Sequence, residues 1–288
     1  MSNYTIFTDS ACDIRPEVLA EWGVPFCSLT FHFDGSPREY SNYELSSREF
    51  YGKMRAKGVA RTAAVNMDVF RRAFEPLLQQ GQDILYLGFS SGLSGTCQAG
   101  AMAAAELREQ YPQRKILTVD TLAASGGEGL LLWLTLEEQK KGATLEQAAA
   151  FAEEMKLKIC HWFTVDDLEY LKRGGRVSPT VALVGGLLGI RPVMHMDDAG
   201  HLIKMFTVRG RRASLQALVD KYGELAHEPG KTPIFISHGD CMDDARLLAQ
   251  LLKEAHGVEV ERIVDVGPVI GAHSGPGTLS LFFVGEHR

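Results

Sequence analysis

The chain has 288 residues, of which 45% are hydrophobic, 23% charged and 9% aromatic, a composition that suits one large or two ordinary globular domains and excludes a disordered chain. Thirty Lys and Arg against thirty-six Asp and Glu leave a formal charge of -6, which offers no global attraction to nucleic-acid phosphates or anionic lipid heads. The five cysteines, Cys12, Cys27, Cys97, Cys160 and Cys241, form no CxxC pair and no metal-like spacing with histidine, so they read as reduced thiols.

The first residues, MSNYTIFTDS, lack the basic and long apolar segments of a signal peptide, and the most hydrophobic window, 181-VALVGGLLGI-190, is about half the length needed to span a bilayer. A cytoplasmic, unanchored protein is expected. Residues 4–8 read as a strand that ends at 8-TDSACDI-14, where Asp9, Ser10 and Asp13 can cap a helix carrying Pro16 near its start. Residues 24–33 are rich in β-branched and aromatic side chains and stop at the turn signal Asp34-Gly35, predicting one strand. A helix over 46–57 follows, capped by Ser46 or Ser47 with Glu49 near its first turn. The small-residue segment 62-TAAVN-66 reads as a loop before a helix over 67–80. Residues 83–89 form a buried strand, then the loop 90-SSGLSGT-96 and an alanine-rich helix to about residue 111. Residues 115–120 repeat the pattern, with 121-TLAASGGEG-129 and a helix through Lys141. Strand alternating with helix predicts a parallel sheet covered on both faces.

The pattern changes after a helical segment at 144–158. Strands over 190–196 and 202–209 joined by 197-DDAGH-201 make a hairpin, which a purely parallel architecture would not contain. Helices near 212–226 and 243–256 flank strands at 233–237 and 260–266, and the chain closes on an apolar run over 279–285. The fold class expected is therefore α/β in two domains, 1–158 with a mainly parallel sheet and 159–288 with a mixed sheet including a hairpin.

Ligands on open α/β sheets collect beyond the carboxyl ends of the strands. In 90-SSGLSGT-96 the hydroxyls, glycines and following helix N-terminus suit an anion, although the same residues also suit an ordinary capped helix. The segment has neither a Walker A lysine nor a GxGxxG fingerprint. Within it, 92-GLSGT-96 is similar to a nucleophile elbow with Thr96 in place of the last glycine, and the order Ser94, Asp265, His273 would suit a serine hydrolase. The stretch 267-GPVIGAHSGPGTL-279 holds a single imidazole, His273, in a loop where Gly271, Gly275 and Gly277 permit positive φ and Pro276 adds stiffness. That imidazole could bond a backbone carbonyl or donate to a carboxylate. In 166-DDLEYLKRGGRVS-178, Lys172, Arg173 and Arg176 form a solvated helix end or a basic site, with Gly174-Gly175 as helix stop; 209-RGRR-212, with Arg209, is a second basic patch.

Taken together, 8-TDSACDI-14, 90-SSGLSGT-96, 119-VDT-121 with 125-SGGEG-129, 168-LEYLKRGGRVS-178 and 267-GPVIGAHSGPG-277 resemble the motifs of the DegV family, which includes the fatty-acid-binding subunits of bacterial fatty acid kinase. The resemblance runs from residue 4 to about 285. It implies a two-domain protein, not itself an enzyme and without a cofactor or metal, that holds one long-chain fatty acid such as palmitate, stearate or oleate in a tunnel at the domain junction. A separate fatty acid kinase catalytic subunit would phosphorylate the carboxylate, and the acyl phosphate would enter phospholipid synthesis. Transient contact with a membrane surface is compatible with this role; nucleic acid is not an expected partner.

Motif matching implies that Thr62, Ser94 and His273 bind the carboxylate, and that Arg173, Arg176 and Arg209 face the kinase or a phosphate. Two departures stand out: 62-TAAVN-66 replaces a TSQPS-like segment, and Cys97 stands where a tyrosine is common. At ~0.8 kcal/mol per buried methylene, a sixteen-carbon tail offers on the order of 12 kcal/mol gross before ordering costs. Residues 181–190, with Gly185, Gly186 and Gly189, and residues 281–284 are candidate walls for that tail. The remaining alternatives are the serine hydrolase and a carrier or sensor of another apolar acid.

Overall fold

The computed structural model describes residues 4–177 and 189–288. In the first half the strands are β1 (Tyr4–Asp9), β2 (Phe26–Cys27), β3 (Thr30–Phe33), β4 (Glu39–Ser41), β5 (Ala60–Ala63), β6 (Asp83–Gly88) and β7 (Ile116–Asp120). The helices between and after them are α1 (Pro16–Glu21), α2 (Ser47–Arg55), α3 (Met67–Gln79), α4 (Thr96–Gln110), α5 (Gly126–Lys140) and α6 (Leu145–Met155). The second half contains β8 (Ile159–Thr164), α7 (Glu169–Arg173), β9 (Ile190–Met196), β10 (Leu202–Arg209), α8 (Arg211–Leu225), β11 (Phe235–His238), α9 (Met242–His256), β12 (Arg262–Asp265), α10 (Pro268–Ser274) and β13 (Leu279–Val284).

The expected parallel sheet is present as β2-β1-β6-β7. The second half forms the mixed sheet β10-β9-β8-β13-β11-β12, in which β9 and β10 are the predicted antiparallel hairpin and β11 and β12 run parallel. All described strands before residue 158 lie outside this mixed sheet, and all from Ile159 onward lie within it. We propose 1–158 and 159–288 as the two domains.

The helix between the two sheets follows from composition. In 129-GLLLWLTL-136 apolar residues occupy every face, the pattern of a helix buried all round. Accordingly α5 packs Leu130, Leu131 and Leu132 into one core with Ile6, Leu85 and Val119 of the parallel sheet and with Phe235, Phe282 and Val284 of the mixed sheet. Gly126 and Gly127 let its first turn approach Phe282 and His161, where a Cβ would collide. The outer face of the mixed sheet is covered by α8 and α9, with Leu218, Tyr222 and Leu248 on Leu281 and Phe283.

Four local expectations are corrected. Residues 24–33 are not one strand: β2 joins β1, and after a break β3 joins a separate antiparallel sheet, β4-β3-β5, because only Phe26–Cys27 pair with β1 and Phe31 is drawn into the aromatic cluster of Tyr40, Phe50 and Tyr51. Thr62, expected in a loop, is in β5, paired with Phe31. Asp9 caps only a 3₁₀ turn over Ser10–Cys12, and α1 starts after Arg15 without a side-chain cap. Finally, 268–274 is helical rather than looped, since Pro268 opens the turn and Gly275, at φ 82°, ends it; Gly271 lies inside the helix, and only Gly275 and Gly277 use positive φ. By contrast α2 has the anticipated capping box, Ser46 with Glu49.

The hairpin reaches back across the domain junction. Ser90 Oγ donates to the Gly200 carbonyl at 2.9 Å, and a Cβ on Gly92 would stand 2.7 Å from that oxygen. Gly92→Ala is therefore expected to lower stability by about 1–3 kcal/mol in urea titration, because neither backbone can yield cheaply. Gly95→Ala, with nothing within 4 Å of the new methyl, should change it by no more than about 0.5 kcal/mol.

Candidate functional site

Between the two sheets lies a cavity of about 160 Å³, lined from both halves of the chain. Its walls are mostly apolar, among them Leu29, Phe89, Leu93, Phe163, Val269 and Phe282. Thr62, Ser94, Arg176 and His273 all line it, so the structure brings together all three expected hydroxyl and imidazole groups and one of the three expected arginines.

Each polar group has a local reason for its position. Thr62 is held by the β3–β5 register. Ser94 precedes α4 and bonds Thr96 twice: their hydroxyls are 2.9 Å apart, and Thr96 N–H donates to Ser94 Oγ at 3.2 Å. The Thr96 hydroxyl in turn accepts from Val65 N–H at 3.4 Å, linking this loop to the segment after β5. His273 sits in the last turn of α10, and its ring packs against Gly174, the residue that ends α7, where any Cβ would overlap Nδ1. Gly275 likewise admits the ring of Tyr170.

His273 Nε2 meets Thr62 Oγ1 at 2.8 Å, while Nδ1 is buried with no hydrogen-bond partner. Burial first, and then the charges of Arg176 and Arg173, push the His273 pKa down to about 4, so the ring is neutral at pH 7. Those same cations favour a bare lone pair on Nδ1 over an N–H there. In that tautomer Nε2–H donates to Thr62 Oγ1, which leaves the Thr62 O–H to donate elsewhere.

Arg176 is half-buried. Its Nε and Nη2 donate to the Leu93 carbonyl at 3.1 and 3.0 Å, and Nη1 donates to the Gly174 carbonyl. This one side chain ties the Ser94 loop to the glycine on which His273 rests. Among the described residues no carboxylate pairs with it, and burial lowers its pKa. An uncompensated cation beside three polar side chains in an apolar cavity suits an anionic group attached to an apolar body.

Other expected residues are placed differently. Arg173 is exposed, its guanidinium 4.9 Å from the Tyr170 ring centre, and Arg209 ends β10 on the surface, outside the cavity lining. The hydrolase triad is not assembled by the observed bonds: Asp265 accepts from Arg15 at 2.9 Å and lies 3.6 Å from His238, while His273 is engaged with Thr62. Of residues 281–284 only Phe282 lines the cavity; Leu281 and Phe283 point to the opposite face because strand side chains alternate. Residues 181–188 lie outside the described residues, and Gly189 does not line the cavity. Cys97 is buried beside Tyr86 and Gly88 instead of in the cavity wall.

Two further polar lining residues and two supports carry no sequence signature. Ser125 and His161 also line the cavity; Ser125 Oγ donates to Asp13 at 2.6 Å, and the buried His161 ring donates from Nδ1 to the Ile159 carbonyl at 2.9 Å. Asn42 caps α10, and Tyr51 O–H donates to the Val266 carbonyl just before it. No spacing rule connects residues 42 and 51 to 266–269. Only the burial-prone 50-FY-51 pair hinted at a core role.

The family profile described as "Uncharacterised protein, DegV family" matches residues 3–286. A DegV domain-containing protein of Clostridium perfringens is 40% identical over 291 residues, covering 100% of this chain and 99% of the relative. Among solved structures, one described as showing fatty acid binding of a DegV family protein from Thermus thermophilus has TM-score 0.88 at 28% identity, covering 98% of this chain and 99% of that one. A DegV lipid-binding protein from Thermotoga maritima has TM-score 0.85 at 28% identity with 100% of both chains covered.

The depressed His273 pKa fixes a sign for pH dependence. The native state binds fewer protons than the unfolded state, so the contribution is complete above about pH 6.5 and is lost as pH falls toward 4. His161, His195 and His238 shift in the same direction, so the comparison must be with a variant. Between pH 7 and 5 the unfolding free energy of the wild type should fall by about 2 kcal/mol more than that of His273→Ala, measured by urea titration.

Proposed function

The chain belongs to the DegV family, and from that premise we propose that it is a carrier that buries a long-chain fatty acid between its two sheets. Thr62, Ser94 and His273 bind the carboxylate, with Arg176 supplying the nearest positive charge. The observation that carries this reading is the amphiphilic cavity itself: mostly apolar walls that also carry two hydroxyls, a neutral imidazole and an arginine that, among the described residues, has no acidic partner. The fatty-acid and lipid binding described for the Thermus and Thermotoga proteins supports the same ligand class.

The tail supplies affinity and the head supplies orientation. Each buried methylene contributes about 0.8 kcal/mol, whereas the hydrogen bonds mainly offset the desolvation of the carboxylate. The protein holds the acid without transforming it, and a separate kinase adds the phosphoryl group: a carboxylate oxygen attacks the terminal phosphorus of ATP, forming an acyl phosphate and releasing ADP. Arg173 and Arg209, exposed outside the cavity, are the basic residues this reading assigns to the kinase or the phosphate. No helix among the described residues is long and apolar enough to cross a membrane, which is compatible with a carrier working in the cytoplasm.

Organic extraction of the purified protein followed by mass spectrometry should recover about one fatty acid per chain. Protein that is free of lipid and also ignores added palmitate or oleate would sink the proposal. With a fatty acid kinase and ATP, acyl phosphate trapped by hydroxylamine should fall at least tenfold in Ser94→Ala and His273→Ala, each of which removes a head-group hydrogen bond. Unchanged trapping would remove those residues from the site.

A further inference from the structure

The helix that carries His273 has no cap of its own. Gly267 precedes α10 and offers no side chain, and Pro268 has no N–H. Its first free donor, Val269 N–H, is met at 2.8 Å by Oδ1 of Asn42, from a segment 227 residues earlier. Asn42 is completely buried and held by three further bonds. Its N–H donates to the Leu29 carbonyl and the Ser28 hydroxyl, both at 3.1 Å, and its Nδ2 donates to the Ser10 carbonyl at 2.9 Å. The amide thus joins the turn after β1 to the first turn of α10. Beside it, Asp13 Oδ1 lies 2.6 Å from where a Cβ on Gly267 would stand.

A helix of seven residues is only about 10 Å long and does not persist by its own hydrogen bonds, so its placement depends on the core packing of Val269 and Ala272 and on what meets its two ends. The C-terminal end rests on Gly174 and Tyr170; the N-terminal end rests on Asn42. We infer that Asn42 is a positioning residue for His273: by capping α10 from the other half of the chain, it sets where the imidazole meets Thr62 and therefore how the head group is received. This rests on the reading of Thr62 and His273 as carboxylate-binding groups.

The test compares affinities for hexadecanoic acid and for hexadecan-1-ol, which share a tail and differ in the head. Wild type, Asn42→Ala, His273→Ala and the double variant are titrated with both ligands, with a thermal melt of each protein. Asn42→Ala should reduce the preference for acid over alcohol by about tenfold, the scale of a lost cap, and the double variant should lose no more than His273→Ala alone. Equal weakening of both ligands by Asn42→Ala, or losses that multiply in the double variant, would assign Asn42 to stability only. A wild type that does not prefer the acid overturns the carboxylate reading, and this inference with it. If the alanine variant does not fold, Asn42→Asp serves: it keeps the acceptor for Val269 and should keep the preference, though a second carboxyl near Asp13 lowers the melting temperature. Loss of preference in that variant would overturn the inference.

Discussion

The contact between Thr62 and His273 joins two segments 211 residues apart at the polar part of the cavity lining. Neither partner is free to drift. Thr62 is fixed by strand pairing, and His273 is fixed by a short helix wedged between Asn42 and Gly174. Because the imidazole is desolvated near two guanidinium groups, it stays neutral and serves as a hydrogen-bonding group instead of a counter-ion. The formal charge there then resides on Arg176, which is also the brace for the Ser94 loop. Charge and scaffold are one side chain.

Beside this lining the protein accepts a considerable electrostatic burden. Asp9, Asp13 and Glu128 are all buried, and burial raises the pKa of Asp9 to about 6 and of Asp13 to about 7, with Glu128 also raised. Asp9 is satisfied by three donors, Tyr86 O–H, Phe89 N–H and Ala11 N–H, and Asp13 accepts from Ser125, which lines the cavity. These carboxyls organise the ends of β1 and β6 and the start of α5, next to Phe89, Ala124 and Ser125 of the cavity lining. Their placement follows the general rule that α/β ligand sites gather beyond the carboxyl ends of strands. Here those ends are tied down by side chains that lie outside the cavity lining.

Much of the architecture was legible from pattern. Alternating strands and helices identified the parallel sheet, 197-DDAGH-201 identified the hairpin, and a helix was expected after 121-TLAASGGEG-129, though not that both sheets would cover it. The errors have a common cause. Residues 24–33 carry strand propensity throughout, but propensity does not say which sheet a strand joins, and the aromatic cluster around Phe31 pulled β3 away from β2. In 267–277 four glycines suggested a loop, yet 268–274 is helical, and position 271 is glycine because Tyr51 leaves no room for a side chain there. Glycine marks a close approach as readily as a turn.

For the site, the sequence by itself determined the chemical inventory: hydroxyls at 62 and 94, one imidazole at 273, arginines at 173 and 176, and the glycines that let backbone and rings approach. These are properties of residue type and of order along the chain. Only the tertiary structure decided that His273 bonds Thr62 rather than Ser94, that Asp265 belongs to Arg15, and that Asn42 caps a helix 227 residues away. It also decided that Phe282 faces the cavity while Leu281 and Phe283 do not. Those outcomes depend on register, burial and the approach of two sheets, and such distances are set by packing across the whole chain, which local spacing does not encode.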